Sequence, residues 1–278
     1  MRPLDQQTIL ITGSTDGLGL ELAKRLTGRC ATLVVHGRHP QRLERALTAI
    51  GGSTHRFRVH GVLADLGSLE QVRRLGRDVA KEFDRLDVLV NNAGIAGPDE
   101  RTESADGFEL TFAVNYLSQF LLTRELLPML RTSAPARIVN IASSGQAPID
   151  FDDVMLERGY DSLRAYRQSK LAKIVSTFEL ASRLEAAGET GVTANALHPA
   201  TLMDTKMVRE SFGRTMTTVN EGVEATLRLV VDLELEGVSG RYFDGLAESR
   251  ANPQAYDERA QAMLWDLSER LCGVTWPL

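Results

Sequence analysis

Short apolar runs rich in β-branched residues recur along the chain, and the stretches between them carry apolar positions three and four apart. Continuous runs predict strands buried on both faces, and the wider spacing predicts amphipathic helices. TILIT (8–12) precedes LELAKRL, and TLVVH (32–36) precedes QRLERALTAI. RFRVHGVLADL holds a third strand, before the helical SLEQVRRLGRDVAKEF. That helix opens on Ser68 with Gln71 three residues on, the spacing of a reciprocal cap. LDVLVNN predicts a fourth strand, 108–131 a helix, RIVNIA (137–142) a fifth strand and 163–187 a long helix. TANALHP predicts a sixth strand, GVEATLRLVVDL a helix and GRYFDG a seventh strand. Asn252-Pro253 then predicts the start of a last helix, with Asn as cap and Pro in the first turn.

Strands and helices that alternate from end to end build a parallel sheet covered on both faces. The predicted class is α/β: a single-domain Rossmann fold over residues 1–278, with a seven-stranded, parallel, doubly wound sheet and a C-terminal helical extension. Segments 145–165 and 202–219 interrupt the alternation as insertions. No linker or repeat divides the chain.

Composition narrows the function. The 278 residues are 43% hydrophobic and 25% charged, with net charge −5. No basic balance or stripe suggests nucleic-acid binding. Cys30 and Cys272 are too far apart in sequence for a metal motif, and the five histidines (His36, His39, His55, His60, His198) form no ligand cluster. No metal is expected. No apolar run approaches the ~20 residues of a membrane span, and the N-terminus runs into a strand without a signal core. The expectation is a soluble, cytoplasmic protein.

Gly13-Ser14-Thr15-Asp16-Gly17-Leu18-Gly19 lies between the first strand and its helix. Glycine lets backbone approach a pyrophosphate, and the helix N-terminus offers free N–H groups and the positive end of its dipole. A tight turn alone would also use glycines, but this position at the chain start favours a dinucleotide. The second strand ends in Val35-His36-Gly37-Arg38, with no carboxylate to hold a ribose 2′-hydroxyl. Arg38 suits a 2′-phosphate, so NADP(H) is the expected cofactor, with NAD(H) as the alternative.

Tyr166 and Lys170 stand four apart in a helical stretch, and so on one face. A surface Tyr–Lys pair would show the same spacing. Reduction of a carbonyl needs a proton donor at oxygen, and Tyr ordinarily titrates near 10. An ammonium about 4 Å away contributes roughly 4 kcal/mol at an effective dielectric of 20, enough to lower the phenol by up to about three units. The fourth strand ends in Asn91-Asn92-Ala93-Gly94, the next helix carries Asn115, and the fifth strand ends near Ser143-Ser144. In a parallel sheet all of these fall at the carboxyl ends, where ligands bind.

The order and spacing of TGSTDGLG, Asp65-Leu66, NNAG, Asn115, Ser144, YRQSK and His198-Pro199-Ala200-Thr201 resemble the short-chain dehydrogenase/reductase family over nearly the whole chain, and most closely its retinol-dehydrogenase-like branch. The resemblance implies Tyr166 as acid/base and Lys170 as the cation that lowers its pKa and binds the nicotinamide ribose. Ser144 would hold the substrate oxygen, and Asn115 would anchor a water beside Lys170. Gly13 to Gly19, Asp65, Leu66, Asn92, Ala93, Gly94, Pro199 and Thr201 would line the cofactor with Arg38. Ala200 stands where most members have Gly, and the interval from Ser144 to Tyr166 is longer than usual. Asp150, Phe151, Asp152, Asp153, Met155 and Leu156 in it suggest a flap by the site.

The implied activity is hydride transfer between nicotinamide and the carbon of an alcohol or carbonyl compound. Segment 202–219, rich in Met and Thr with Phe212, is the expected substrate loop, and Met suits varied apolar shapes. The expected partner is a moderately apolar small molecule. The resemblance also implies a homodimer or homotetramer. The stripe Met263, Leu264, Leu267 and Leu271 around Trp265 reads as core packing of the last helix. Two rival readings share the fold: an idle nucleotide sensor, which would be expected to lose Tyr166 or Lys170, and a sugar-nucleotide epimerase or dehydratase, which needs more chain after Pro199.

Overall fold

A computed structural model describes residues 1–51 and 57–278; His55, and Arg56 at the head of the third predicted strand, lie outside them. The apolar runs form β1 (Thr8–Ile11), β2 (Thr32–Gly37), β3 (Arg58–Leu63), β4 (Val88–Asn91), β5 (Ala136–Ile141), β6 (Val192–His198) and β7 (Tyr242–Asp244). They lie parallel in the order β3-β2-β1-β4-β5-β6-β7. The chain moves outward from β1 to β3, then returns to start β4 on the other side of β1. The crevice outside the carboxyl ends of β1 and β4 is the switch point at which such sheets bind ligands.

An eighth strand corrects the expected count. β8 (Ala247–Ser249) pairs antiparallel with β7 through a two-residue turn at Gly245-Leu246. Gly245 has φ +58 and Leu246 is not among the positive-φ residues, the pattern of a hairpin turn with Gly first. β8 is fully exposed and has no apolar run to betray it.

Side chains alternate between the two faces of the sheet. Ile9, Ile11, Val88 and Val90 pack under α1 (Gly17–Leu26), α2 (Pro40–Ile50) and α8 (Val219–Val231). Leu10, Leu89 and Ile138 pack under α3 (Leu69–Glu82), α5 (Ser118–Thr132), α6 (Ser162–Ala186) and α9 (Glu258–Cys272). The helix predicted over 108–131 starts as α4 (Leu110–Phe112), passes through a π-helical turn (Ala113–Leu117) and continues as α5. Such turns often mark functional sites, and Asn115 is at the centre of this one.

Three local expectations change. Ser68 accepts the Gln71 N–H, but Gln71 Oε1 accepts from Asp65 N at 3.0 Å instead of returning to Ser68, so the cap is one-sided. Asn252-Pro253 opens only a short 3-10 turn, and α9 starts at Glu258, capped by Asp257. The buried stripe of α9 is Ala260, Leu264, Trp265, Ser268 and Cys272, while Met263 faces out. Trp265 meets Phe120 edge-on at 5.0 Å, and Tyr116 Oη bonds Ser268 Oγ at 2.6 Å, which fastens α9 to the rest of the core.

Segment 145–165 is stitched down. Ile149 N donates to Gln254 Oε1, Asp150 N donates to Gln168 Oε1, and Arg101 donates to Met155 O. Asp153 accepts the N–H groups of Glu157 and Arg158. Its acidic residues thus fold the segment on itself, with Ile149, Val154 and Leu156 buried beneath. No helix of the described residues is long and apolar enough to cross a membrane.

Candidate active site

The glycine turn is built by contact with the loop after β4. Gly13 has φ +62, and a Cβ there would lie 2.8 Å from Ala93 Cα. Both the conformation and the space exclude a side chain. Asn92 Nδ2 donates to Thr12 O and Gly13 O at 2.9 and 3.0 Å, and Ala93 N donates to Thr12 Oγ1 at 3.0 Å. Ser14 Oγ donates to Ile11 O at 2.7 Å and accepts from His36 N at 3.0 Å. Asp16 caps α1 by accepting the Gly17 N–H, and Leu18 is buried. The side chains of Ser14, Leu18 and Asn92 therefore hold the turn in shape.

His36, to which the sequence reading gave no role, pins this turn. Its Nδ1 accepts the Gly13 N–H at 3.0 Å, and Nε2 lies 3.1 Å from Ala64 O. One nitrogen must accept and the other donate, so the ring is neutral with its hydrogen on Nε2. Burial lowers its pKa to about 4. Beside it, Gly37 packs under Thr15, and Arg38 stands exposed at the end of β2 without a hydrogen bond or ion pair to a described residue. Asp65 Oδ1 accepts the Gly67 N–H at 2.9 Å, and Leu66 is buried, so this pair shapes the turn after β3 chiefly from within.

At the other end of the crevice, α6 brings Tyr166 and Lys170 together, with Nζ 5.5 Å from the phenol ring centre. Of the two serines after β5, Ser143 is the one whose hydroxyl works to lower the phenol, and its Oγ accepts the Gly145 N–H at 3.0 Å. Ser144, the residue the sequence reading chose, is exposed and directs Oγ to His198 Nε2 at 3.2 Å. The two serines follow each other in the loop after β5, Ser143 buried and Ser144 exposed. A step of one residue separates the phenol's partner from its neighbour.

Asn115 stands on the same wall of the crevice. Its Oδ1 accepts from Ile95 N at 2.8 Å, and its Nδ2 donates to Ile95 O and Ser169 Oγ, both at 3.0 Å. These bonds make the amide a clamp on the loop after β4, with one lone pair of Oδ1 left over. Lys170 Nζ donates to Ile141 O at 3.1 Å. Burial lowers Lys170 to about 8 and raises Tyr166, against which the Ser143 hydrogen bond works. In the chain alone desolvation outweighs the Ser143 hydroxyl, and the phenol lies above its ordinary value.

Segment 202–219 contains α7 (Lys206–Phe212), capped by Thr205. The Phe212 ring meets Tyr166 edge-on at 6.2 Å, while Thr205 lies against Gly17, where an added Cβ would come within 3.3 Å of its methyl. The segment therefore touches both the glycine turn and the phenol. His198 Nε2 also reaches Thr201 Oγ1 at 3.0 Å, and Thr201 O accepts from Thr217, which ties the end of β6 to this segment. Pro199 is buried and Ala200 half-buried beside it.

A nicotinamide dinucleotide fits these residues. A Cβ on Gly94 would lie 3.2 Å from Asn115 Oδ1 and 3.4 Å from Lys170 Nζ, so glycine keeps the floor in front of Lys170 open. Arg38, with no partner among the described residues, leaves its guanidinium free at the end of β2. Among the described residues no cluster of three His, Cys, Asp or Glu side chains gathers to hold a metal.

Residues 7–215 match the short chain dehydrogenase family. The chain is 39% identical to retinol dehydrogenase 13 of Mus musculus, over 96% of this chain and 84% of that one. It superposes with a TM-score of 0.80 on the crystal structure of an uncharacterized protein from Mycobacterium paratuberculosis, 31% identical, covering 98% of this chain and 96% of that chain. It superposes at 0.71 on a short chain dehydrogenase from Escherichia coli CFT073 complexed with NADPH, 25% identical, covering 88% of this chain and 98% of that chain.

Proposed function

Since the chain belongs to the short-chain dehydrogenase/reductase family, in its retinol-dehydrogenase-like branch, and is an oxidoreductase of that kind, we propose that it interconverts a moderately apolar alcohol and its carbonyl compound with NADP(H), using Tyr166 as acid/base. The observation that carries this reading is the Tyr166 ring, its centre 5.5 Å from Lys170 Nζ, beside a crevice kept open by Gly94.

Gly13 to Gly19, Asn92 to Gly94 and Pro199 to Thr201 would hold the cofactor, with Arg38 on its 2′-phosphate. The bound nicotinamide would supply or accept the hydride. In the reducing direction Ser143 and Tyr166 donate their O–H groups to the carbonyl oxygen. Tyr166 gives up its proton there as negative charge builds on that oxygen. The Lys170 ammonium opposes the charge left on the phenolate: at 5–6 Å and an effective dielectric of 20 it contributes about 3 kcal/mol, or roughly two pKa units. Lys170 must be protonated for this, so reduction should fall off as pH rises through about 8. Phe212 and the methionines of segment 202–219 supply apolar walls, and the likeness to a retinol dehydrogenase agrees with an apolar substrate. The experiment is consumption of NADPH and of NADH against a panel of apolar ketones and aldehydes. Turnover confined to NADPH supports the reading; no turnover with either coenzyme across the panel contradicts it.

A further inference from the structure

One turn beyond Lys170, α6 carries a second lysine that this chemistry does not use. Lys173 is 2% exposed, enclosed between α6 and the sheet. Its Nζ donates to Ile141 O at 2.7 Å and to Asn91 O at 3.3 Å, at the ends of β5 and β4. Lys170 Nζ donates to the same Ile141 oxygen at 3.1 Å. Two nitrogens 2.7 and 3.1 Å from one atom are no more than about 6 Å apart. Among the described residues no carboxylate lies within ion-pair distance of either lysine.

The surroundings are polar but uncharged. Lys173 lines a small cavity of about 20 Å³ with Gln119 and Thr123 of α5, Tyr116 of the π turn, Asn140 of β5 and Trp265 of α9. Tyr116 is the titratable group there, and burial pushes its phenol far up, so it stays neutral. On the crevice side stand Tyr166 and His198, and His198 is lowered by burial and by Lys170. Arg183 is held over the Trp265 ring at 4.6 Å. Nothing in this set compensates two ammonium charges. Like charges this close in a desolvated site do not both ionise near neutrality. Burial lowers both amines, Lys173 further than Lys170.

We propose that Lys173 is a positioning residue: with Lys170 it forms a dyad on Ile141 O that holds one proton between two amines, and so fixes the alkaline limit of Tyr166-dependent reduction. The dyad changes only in protonation: one amine carries the proton and the other is neutral, with no bond between the two nitrogens. Its link to reduction rests on the function proposed above; the shared proton itself does not.

The test is titration of the cofactor-free protein labelled with ¹³C at lysine Cε, alongside pH profiles of NADPH-dependent reduction, for wild type, Lys173→Met and Lys173→Arg. Wild type should show two coupled steps at these lysines. Lys173→Met should lose the lower step and move the Lys170 step modestly up, because Lys170 then has Ile141 O to itself. Lys173→Arg fixes a charge beside Lys170 and should move its step down by about two units, from an interaction at 6 Å and a dielectric of 20. The alkaline limb of reduction should follow in the same directions. A strut without electrostatic function would lower kcat at every pH and leave the limb in place. Lys170 titrating alike in all three proteins overturns the dyad. If the arginine variant does not fold, a single lysine step in wild type that Lys173→Met leaves unchanged overturns it as well. Shifted titrations without carbonyl reduction would refute the proposed function and leave the dyad standing.

Discussion

The neutral state of His36 makes the glycine turn acid-sensitive. In the folded chain the ring titrates at about 4, and its ordinary value is 6.5. The unfolded chain therefore takes up this proton first as pH falls. Stability from the group is fully present above about 6.5 and is lost on descent toward about 4. The full difference of 2.5 units corresponds to about 3 kcal/mol. At pH 5 the unfolded ring is almost wholly protonated and the folded one hardly at all, so the loss between pH 7 and pH 5 is about 2 kcal/mol. The perturbation is His36→Gln, which removes the titrating ring. It also disturbs the hydrogen bond from Gly13 N, with a pH-independent cost of about 1–3 kcal/mol. The assay is urea unfolding at pH 7 and pH 5 for both proteins. Wild type should lose about 2 kcal/mol more than the variant over this interval. His198 and the carboxylates titrate in both and cancel in the comparison. Equal losses in the two proteins would refute the assignment of a neutral ring that accepts the Gly13 N–H.

Two further substitutions probe the crevice. Arg38→Leu should raise KM for NADPH by about 10-fold or more, the scale of one charge-assisted hydrogen bond, and leave KM for NADH nearly unchanged; equal effects on the two coenzymes would mean the 2′-phosphate is read elsewhere. Ser143→Ala should lower kcat by about 10²-fold, as expected on removing a donor to the developing oxyanion, and Ser144→Ala by much less. The reverse order in kcat would restore Ser144 to the role the sequence suggested.

Most of the architecture is written in the apolar runs. TILI, TLVVHG and VLVN are buried on both faces, and their periodicity leaves no alternative to a covered parallel sheet. β8 was not legible, since Ala247–Ser249 is exposed and held by pairing to β7 alone. The crevice was legible as glycines and as a Tyr–Lys spacing, both of which depend only on local geometry. The choice between Ser143 and Ser144 was not, because the two are adjacent and only the packing of the loop after β5 buries one and exposes the other. Asn115 was placed correctly on its helix, but its amide bonds Ile95 and Ser169, contacts that no local pattern announces. His36 looked like one more histidine until Gly13 and Ala64 closed on its two nitrogens. Lys173 carries the least sequence signal of all: a lysine in a long helix ordinarily faces water, and only the packing of α6 between the sheet and α9 buries it.

Transfer of deuterium from the nicotinamide C4 of labelled NADPH to an apolar ketone or aldehyde, followed by mass spectrometry of the alcohol, bears most directly on the assigned chemistry. The wild-type protein should place the label on the carbinol carbon. Tyr166→Phe should bind NADPH with unchanged affinity and form labelled alcohol at least about 10²-fold more slowly, the lower end for a lost acid/base group. Labelled alcohol formed at an undiminished rate by Tyr166→Phe would show that this phenol is not the proton donor.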